Sequence, residues 1–129
     1  MRHIVLVLAL SFVAGAWAGP AAHSKRLKPQ VGKASIYAGK FAHRKMANGR
    51  PMNPQGDNAA SKTLPLGTKA LVSNLETGRS ATVTIEDRGP HVPGRIVDLS
   101  PATANQIGLD RKQGLARVEV TPLEVPASE

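Results

Sequence analysis

The stretch EDRGPHVPGRIVDLS, residues 86–100, gathers the side chains best suited to chemistry: Asp87 with Arg88 beside it, then a second carboxylate, Asp98. A carboxyl group at the edge of a cavity can move a proton if its surroundings raise its pKa. Partial burial does so, and a close guanidinium does the opposite. Asp87 therefore reads in two ways, as a group presented at a site or as the polar residue that starts a turn. Asp98 sits inside the apolar run Ile96-Val97-Asp98-Leu99, where an unpaired charge is costly. It is expected to accept hydrogen bonds from backbone amides or from Arg95 and so fix the loop that shapes the site, direct catalysis being the alternative. Glu86 is expected to face solvent or the far side of its strand; adjacency to Asp87 does not make a dyad. His43 and His91 fall in loops, where a lone histidine is usually solvated. The four histidines show no ligand spacing, so neither a metal nor a cofactor is expected.

The elements around these residues are short and punctuated by turns. KASIYAG (33–39), TKALVSN (68–74), RSATVTIED (79–87), GRIVDLS (94–100) and LARVEVTPLEV (115–125) read as strands, and NLETGR as the connection of a hairpin. In RSATVTIED the residues Ala81, Val83 and Ile85 share one face. Strict alternation adds Asp87 to that inward set, so its carboxylate must emerge where the strand ends, beside a cavity. Ser100 followed by Pro101 is a helix start, and Gly108 a stop. About six short strands and one helix predict an all-β domain, a small closed barrel.

The first residues belong to a different class. Residues 1–18 carry a basic start, an apolar run from Ile4 to Val13 and the small-x-small triplet Ala16-Trp17-Ala18, the pattern of a secretory signal peptide. The run is well short of the roughly 20 apolar residues that a spanning helix needs. Residues 19–31 read as a flexible basic lead-in. Export of a domain this small usually brings disulfides, but the chain has no cysteine, so packing alone must hold it and no lipid-modified cysteine is available. A soluble monomer is expected. The formal net charge of +8 favours anionic partners, and outside the cytoplasm these are wall polymers or lipid head groups sooner than nucleic acid.

Three blocks in order, GKASIYAGKFAHRKMANGRPMN, AASKTLPLGTKALVSNLETGRSATVTIEDRGP and GRIVDLSPATANQIG, resemble the double-psi β-barrel domain of the rare lipoprotein A (RlpA) family. The resemblance covers residues 32–125, with 126–129 as a tail, and implies a six-stranded double-psi β-barrel with one short helix. It also implies a periplasmic enzyme of the bacterial envelope, an endolytic peptidoglycan transglycosylase that prefers glycan strands stripped of stem peptides. Family members often carry a lipidated N-terminal cysteine and a C-terminal peptidoglycan-binding repeat domain; neither is expected here. Expansins share the fold and a comparable carboxylate.

A lytic transglycosylase uses the sugar's own C6 hydroxyl as nucleophile and leaves a 1,6-anhydro end. One carboxyl group can serve as both acid and base, where ordinary glycosidases use two. The resemblance assigns that role to Asp87, in DRGP. Where the family has a glutamate after NG and a histidine after AA, this chain has Arg50 and Ser61. Arginine accepts no proton but can bind an anionic lactyl or phosphate group, and serine can hold a sugar hydroxyl. Arg88 joins these as a substrate-binding candidate. Tyr37 matches the family's aromatic position and is expected either in the sugar groove or in the core, whereas Phe41 is expected to be buried. The two departures leave three functions open: a lytic transglycosylase, a wall-binding module that works by contact as expansins are supposed to, and a secreted interaction protein that uses its basic surface.

Overall fold

The computed structural model describes residues 27–127. The expected signal peptide, most of the expected lead-in and the last two residues of the tail lie outside the described residues. Six strands, β1 (Gln30–Ile36), β2 (Asn58–Ala60), β3 (Lys69–Asn74), β4 (Ser80–Asp87), β5 (Arg95–Leu99) and β6 (Leu115–Glu124), are joined by one helix, α1 (Pro101–Gln106), and a single 3₁₀ turn, Gly39–Phe41. The strands close into a barrel in the order β1-β5-β2-β4-β3-β6. Closure leaves no exposed sheet edge. β1 with β5 and β2 with β4 are parallel, and every other pairing is antiparallel. These two parallel pairs give the double-psi arrangement that the resemblance implies.

Alternation in the sequence decides what lies inside. Val72, Val83, Ile85, Val97, Leu99, Val118 and Val120 form one buried cluster, joined by Leu64, Ile107 and Leu109. Each such side chain contributes about 1.5–3 kcal/mol by leaving water. β3 and β4 form the expected hairpin. At its turn the buried Asn74 donates through Nδ2 to the Ile107 carbonyl at 2.9 Å and accepts from the Glu76 amide through Oδ1 at 2.9 Å. Ser100 caps α1 as expected, its Oγ accepting from the Thr103 amide at 3.1 Å. The helix stops at Gly108, whose φ of +77° few side-chain-bearing residues adopt.

Two differences from the expected elements have clear causes. β1 starts at Gln30, inside the expected lead-in, because the long β6 runs far enough to pair Gln30 with Val120 and Val31 with Glu119. β2 has only three residues, Asn-Ala-Ala, too few and too weak in β propensity to show a period; its burial between β4 and β5 makes it a strand.

Each parallel pair also contains a bulge. Opposite Ala59 and Ala60 stand Ile85 and Asp87, so Glu86 is the extra residue of β4. Opposite Lys33 and Ala34 stand Arg95 and Val97, so Ile96 is the extra residue of β5. A bulge shifts the alternation of a strand by one. Asp87 therefore leaves the inward set of Val83 and Ile85, which corrects the strict alternation expected for RSATVTIED. A charge that would have entered the core faces outward instead.

Candidate active site

The register lines up Ser35, Asp98, Ala60 and Asp87 across four adjacent strands. Neighbours in register project to the same face, and two interstrand steps put the Asp87 and Asp98 Cα atoms about 9–10 Å apart. Ala60 lies between them in a second buried cluster, with Tyr37, Met46 and Met52, outside the main core. Both carboxylates line a groove of about 470 Å³. One wall is the chain from Ser35 through the 3₁₀ turn to Phe41, and the other is the loop from Arg88 to Val92 together with Arg95. Gly89, at φ +120°, turns the chain away two residues after Asp87, in a backbone region open in practice only to glycine.

Asp87 is held on both oxygens. Oδ1 accepts from the Ala47 and Arg88 amides, each at 2.9 Å, and Oδ2 accepts from the Tyr37 hydroxyl at 2.9 Å. Burial of Tyr37, followed by this bond to a carboxylate, pushes the phenol well above its ordinary pKa, so at neutral pH it is a fixed donor. Asp98 is held on one side only. The Ser35 hydroxyl donates to its Oδ1, and Oδ2 has no protein donor among the described residues. Backbone amides and Arg95, the expected partners of Asp98, give way to Ser35, because that serine faces Asp98 in the β1·β5 register.

The guanidinium of Arg88 turns away from Asp87. Its Nη1 donates to the Ser61 and Leu64 carbonyls at 3.0 and 2.6 Å and ties the loop after β2 to the groove wall. Ser61 is only 2% exposed and lies outside the groove lining; its Oγ accepts from the Thr63 and Leu64 amides at 3.2 and 3.1 Å, the pattern of a serine that caps a turn. Arg50 is exposed on the hairpin closed by the Lys45 and Pro51 bridge, again outside the lining. The structure thus brings Asp87, Asp98, Tyr37 and Arg88 together, and leaves Arg50 and Ser61 apart from them.

Tyr37 resolves its two expected settings by occupying both: it is 6% exposed and packed on methionines, yet it lines the groove. Phe41, expected to be buried, is 40% exposed. The 3₁₀ turn ends on it, leaving the ring edge-on to Tyr37 at 6.4 Å with the Lys40 ammonium 5.2 Å from its centroid. His91 lines the groove and His43 does not. Glu86 accepts from the Asn48 side chain, as suits the extra residue of a bulge. Among the described residues no three His, Asp or Glu side chains converge as metal ligands, and no helix is long and apolar enough to cross a membrane.

Ser35 and the Ala47 amide enter the site without any sign in their own types. Ser35 becomes visible only through the β1·β5 register, and Ala47 only through the fold of the hairpin that carries it.

Comparison with known proteins gives this geometry a lineage. A family model described as lytic transglycolase matches residues 29–120. Over 94 residues the chain is 49% identical to the endolytic peptidoglycan transglycosylase RlpA of Pasteurella multocida (strain Pm70), a match covering 72% of this chain and 32% of that protein. The probable endolytic peptidoglycan transglycosylase RlpA of Synechocystis sp. is 46% identical over 89 residues, covering 69% of this chain and 27% of that protein. The chain thus spans about a third or less of the length of these curated relatives. Among solved structures, an apo expansin of Clavibacter michiganensis superposes with a TM-score of 0.57 at 20% identity, over 78% of this chain and 53% of the other; that likeness is one of fold.

Proposed function

This chain belongs to the lytic transglycolase family, and we propose that its groove cleaves peptidoglycan glycan strands lacking stem peptides, endolytically and with 1,6-anhydro ends, in the bacterial periplasm. The observation that carries the reading is the unequal holding of two carboxylates in one groove. A general acid/base needs an oxygen that can exchange a proton with substrate. The resemblance gives that duty to Asp87, but both Asp87 oxygens are engaged by three donors, while Asp98 keeps Oδ2 without a protein donor among the described residues. The geometry favours Asp98 as the proton carrier and Asp87 as the fixed negative charge beside it.

The reaction then needs no water. Asp98 in its acid form gives the Oδ2 proton to the glycosidic oxygen as the bond from C1 to that oxygen breaks. The C6 hydroxyl of the same sugar attacks C1, and Asp98 takes the hydroxyl proton back. Positive charge developing at the ring is stabilised by the Asp87 carboxylate, which Tyr37 and two backbone amides hold in place, so no reorganisation is needed as the charge forms. Ser35 keeps Asp98 Oδ1 occupied and leaves Oδ2 for the substrate.

Arg50 and Ser61 bear on the rival reading. They stand where the resemblance places a glutamate and a histidine, and those two departures are what favours a wall-binding module without turnover. Both residues lie outside the groove lining, so the proposed chemistry does not pass through them. The test incubates the protein with peptide-free glycan strands and analyses the products by mass spectrometry. Anhydro ends are expected. Binding without any cleavage at high protein concentration would replace the enzyme by the module, and ordinary reducing ends would replace transglycosylation by hydrolysis.

A further inference from the structure

Arg95 is left unexplained by the chemistry above. It lines the groove, half-buried, at the start of β5. Its backbone amide bonds to the Val92 carbonyl, but its guanidinium meets no hydrogen-bond acceptor or carboxylate among the described residues. The contrast with Arg88, whose guanidinium is spent on two carbonyls of the neighbouring loop, is direct. A guanidinium offers five donors, and those of Arg95 are open to solvent and so to a ligand in the groove.

The fold sets this side chain outward by a specific device. Without the extra residue Ile96, Arg95 would share the phase of Val97 and point into the apolar core; with it, Arg95 pairs with Lys33 on the outer face. The bulge at Glu86 does the same for Asp87. The two parallel pairs therefore each contain one bulge, and each bulge delivers one charged side chain to the same groove, an anion in one case and a cation in the other.

From this we infer that Arg95 is a specificity residue: it binds the carboxylate of an acidic sugar in the strand other than the one that reacts. The inference rests on the glycan-strand reading and deepens it. Three steps along β5 lead from Arg95 to Asp98, a reach of about 10 Å, so the acidic sugar held at Arg95 lies two units along the alternating strand from the one that reacts. Arginine suits a carboxylate because its planar fork makes two parallel charge-assisted bonds. A muramic acid whose peptide has been removed presents such a carboxylate on its lactyl ether. With the peptide attached, the same carbon is a neutral amide followed by bulk. Arg95 thus distinguishes stripped from substituted strands by charge, through an anionic lactyl group of the kind the sequence analysis offered to Arg50.

The test measures binding of the purified protein to two probes: peptide-free glycan strands, and the same strands with their carboxylates converted to primary amides. Wild type is expected to bind the acidic strands about tenfold or more tightly than the amidated ones, the worth of a charge-assisted pair. Arg95→Gln is expected to bring the two within about twofold by weakening the acidic strands alone, and Arg95→Lys to fall between. Arg111→Gln, which removes an equal charge from the exposed turn before β6, is expected to keep the full preference and so separates Arg95 from the general basicity. Equal binding of both probes by wild type, or a full preference surviving in Arg95→Gln with an unchanged thermal melt, overturns the inference and leaves the glycan-strand reading standing. Failure to bind either probe overturns both.

Discussion

Replacing Tyr37 by phenylalanine removes one hydroxyl and keeps the ring among Met46, Met52 and Ala60, so it isolates the hydrogen bond that fixes Asp87. A bond to a charged acceptor is worth about 1.5–3 kcal/mol. Asp87 retains two backbone donors and is only half-buried, so water replaces part of the loss. A cost of about 1–2 kcal/mol is expected, which for a domain of this size lowers Tm by roughly 5–10 °C. The raised pKa of the phenol adds a pH dependence of definite sign. In the unfolded chain Tyr37 ionises near its ordinary value of 10.0, and in the folded chain only well above it. Its contribution to stability is therefore complete below pH 10 and is lost as the pH rises beyond it, by at most about 1.4 kcal/mol per pH unit. Tyr37→Phe has no phenol to ionise, so the gap between wild type and variant should be constant from pH 7 to 9 and shrink above 10. Urea unfolding followed by circular dichroism at each pH measures that gap. The chain has a single tyrosine, so phenolate absorbance reports this residue alone. A phenolate band rising with a midpoint near pH 10 while the fold is intact would refute the reasoning.

Other side chains give sharper, smaller tests. Ser100→Ala should cost about 1 kcal/mol or somewhat more in chemical denaturation, because its hydroxyl caps α1 and also donates to the Gly56 carbonyl at 2.6 Å. Arg88→Gln should loosen the loop from Ser61 to Leu64, seen as faster amide hydrogen exchange there and a loss of about 1–2 kcal/mol, since two buried-side carbonyls lose their donor. Leu99→Ala should destabilise by about 2–5 kcal/mol, the range for emptying a fully buried position in a closed core.

Much of the fold was legible because the long strands are amphipathic. The shared face of Ala81, Val83 and Ile85, the strand at LARVEVTPLEV, the NLETGR connection and the Ser100-Pro101 helix start all follow from local rules, and the structure keeps them. What local rules could not reach depends on pairing. A strand as short as Asn58–Ala60 has no period of its own, and the bulges at Glu86 and Ile96 exist only relative to the partner strand. The same limit applies to the site. Asp87 and Asp98 are conspicuous as residue types, but which of them has an open oxygen depends on Ser35, Tyr37 and a loop amide brought from elsewhere in the chain. Ser61 shows the converse: a position identified by resemblance, whose hydroxyl the local backbone uses as a turn cap.

The central claim is that cleavage proceeds through the open oxygen of Asp98 while Asp87 supplies fixed charge. It is tested most directly by counting the 1,6-anhydro ends that wild type, Asp98→Asn and Asp87→Asn release from peptide-free glycan strands in equal time, with fold checked by circular dichroism. The account expects no anhydro ends from Asp98→Asn, with strand binding retained, and a reduced but measurable rate from Asp87→Asn. Turnover by Asp98→Asn at the wild-type rate would contradict it.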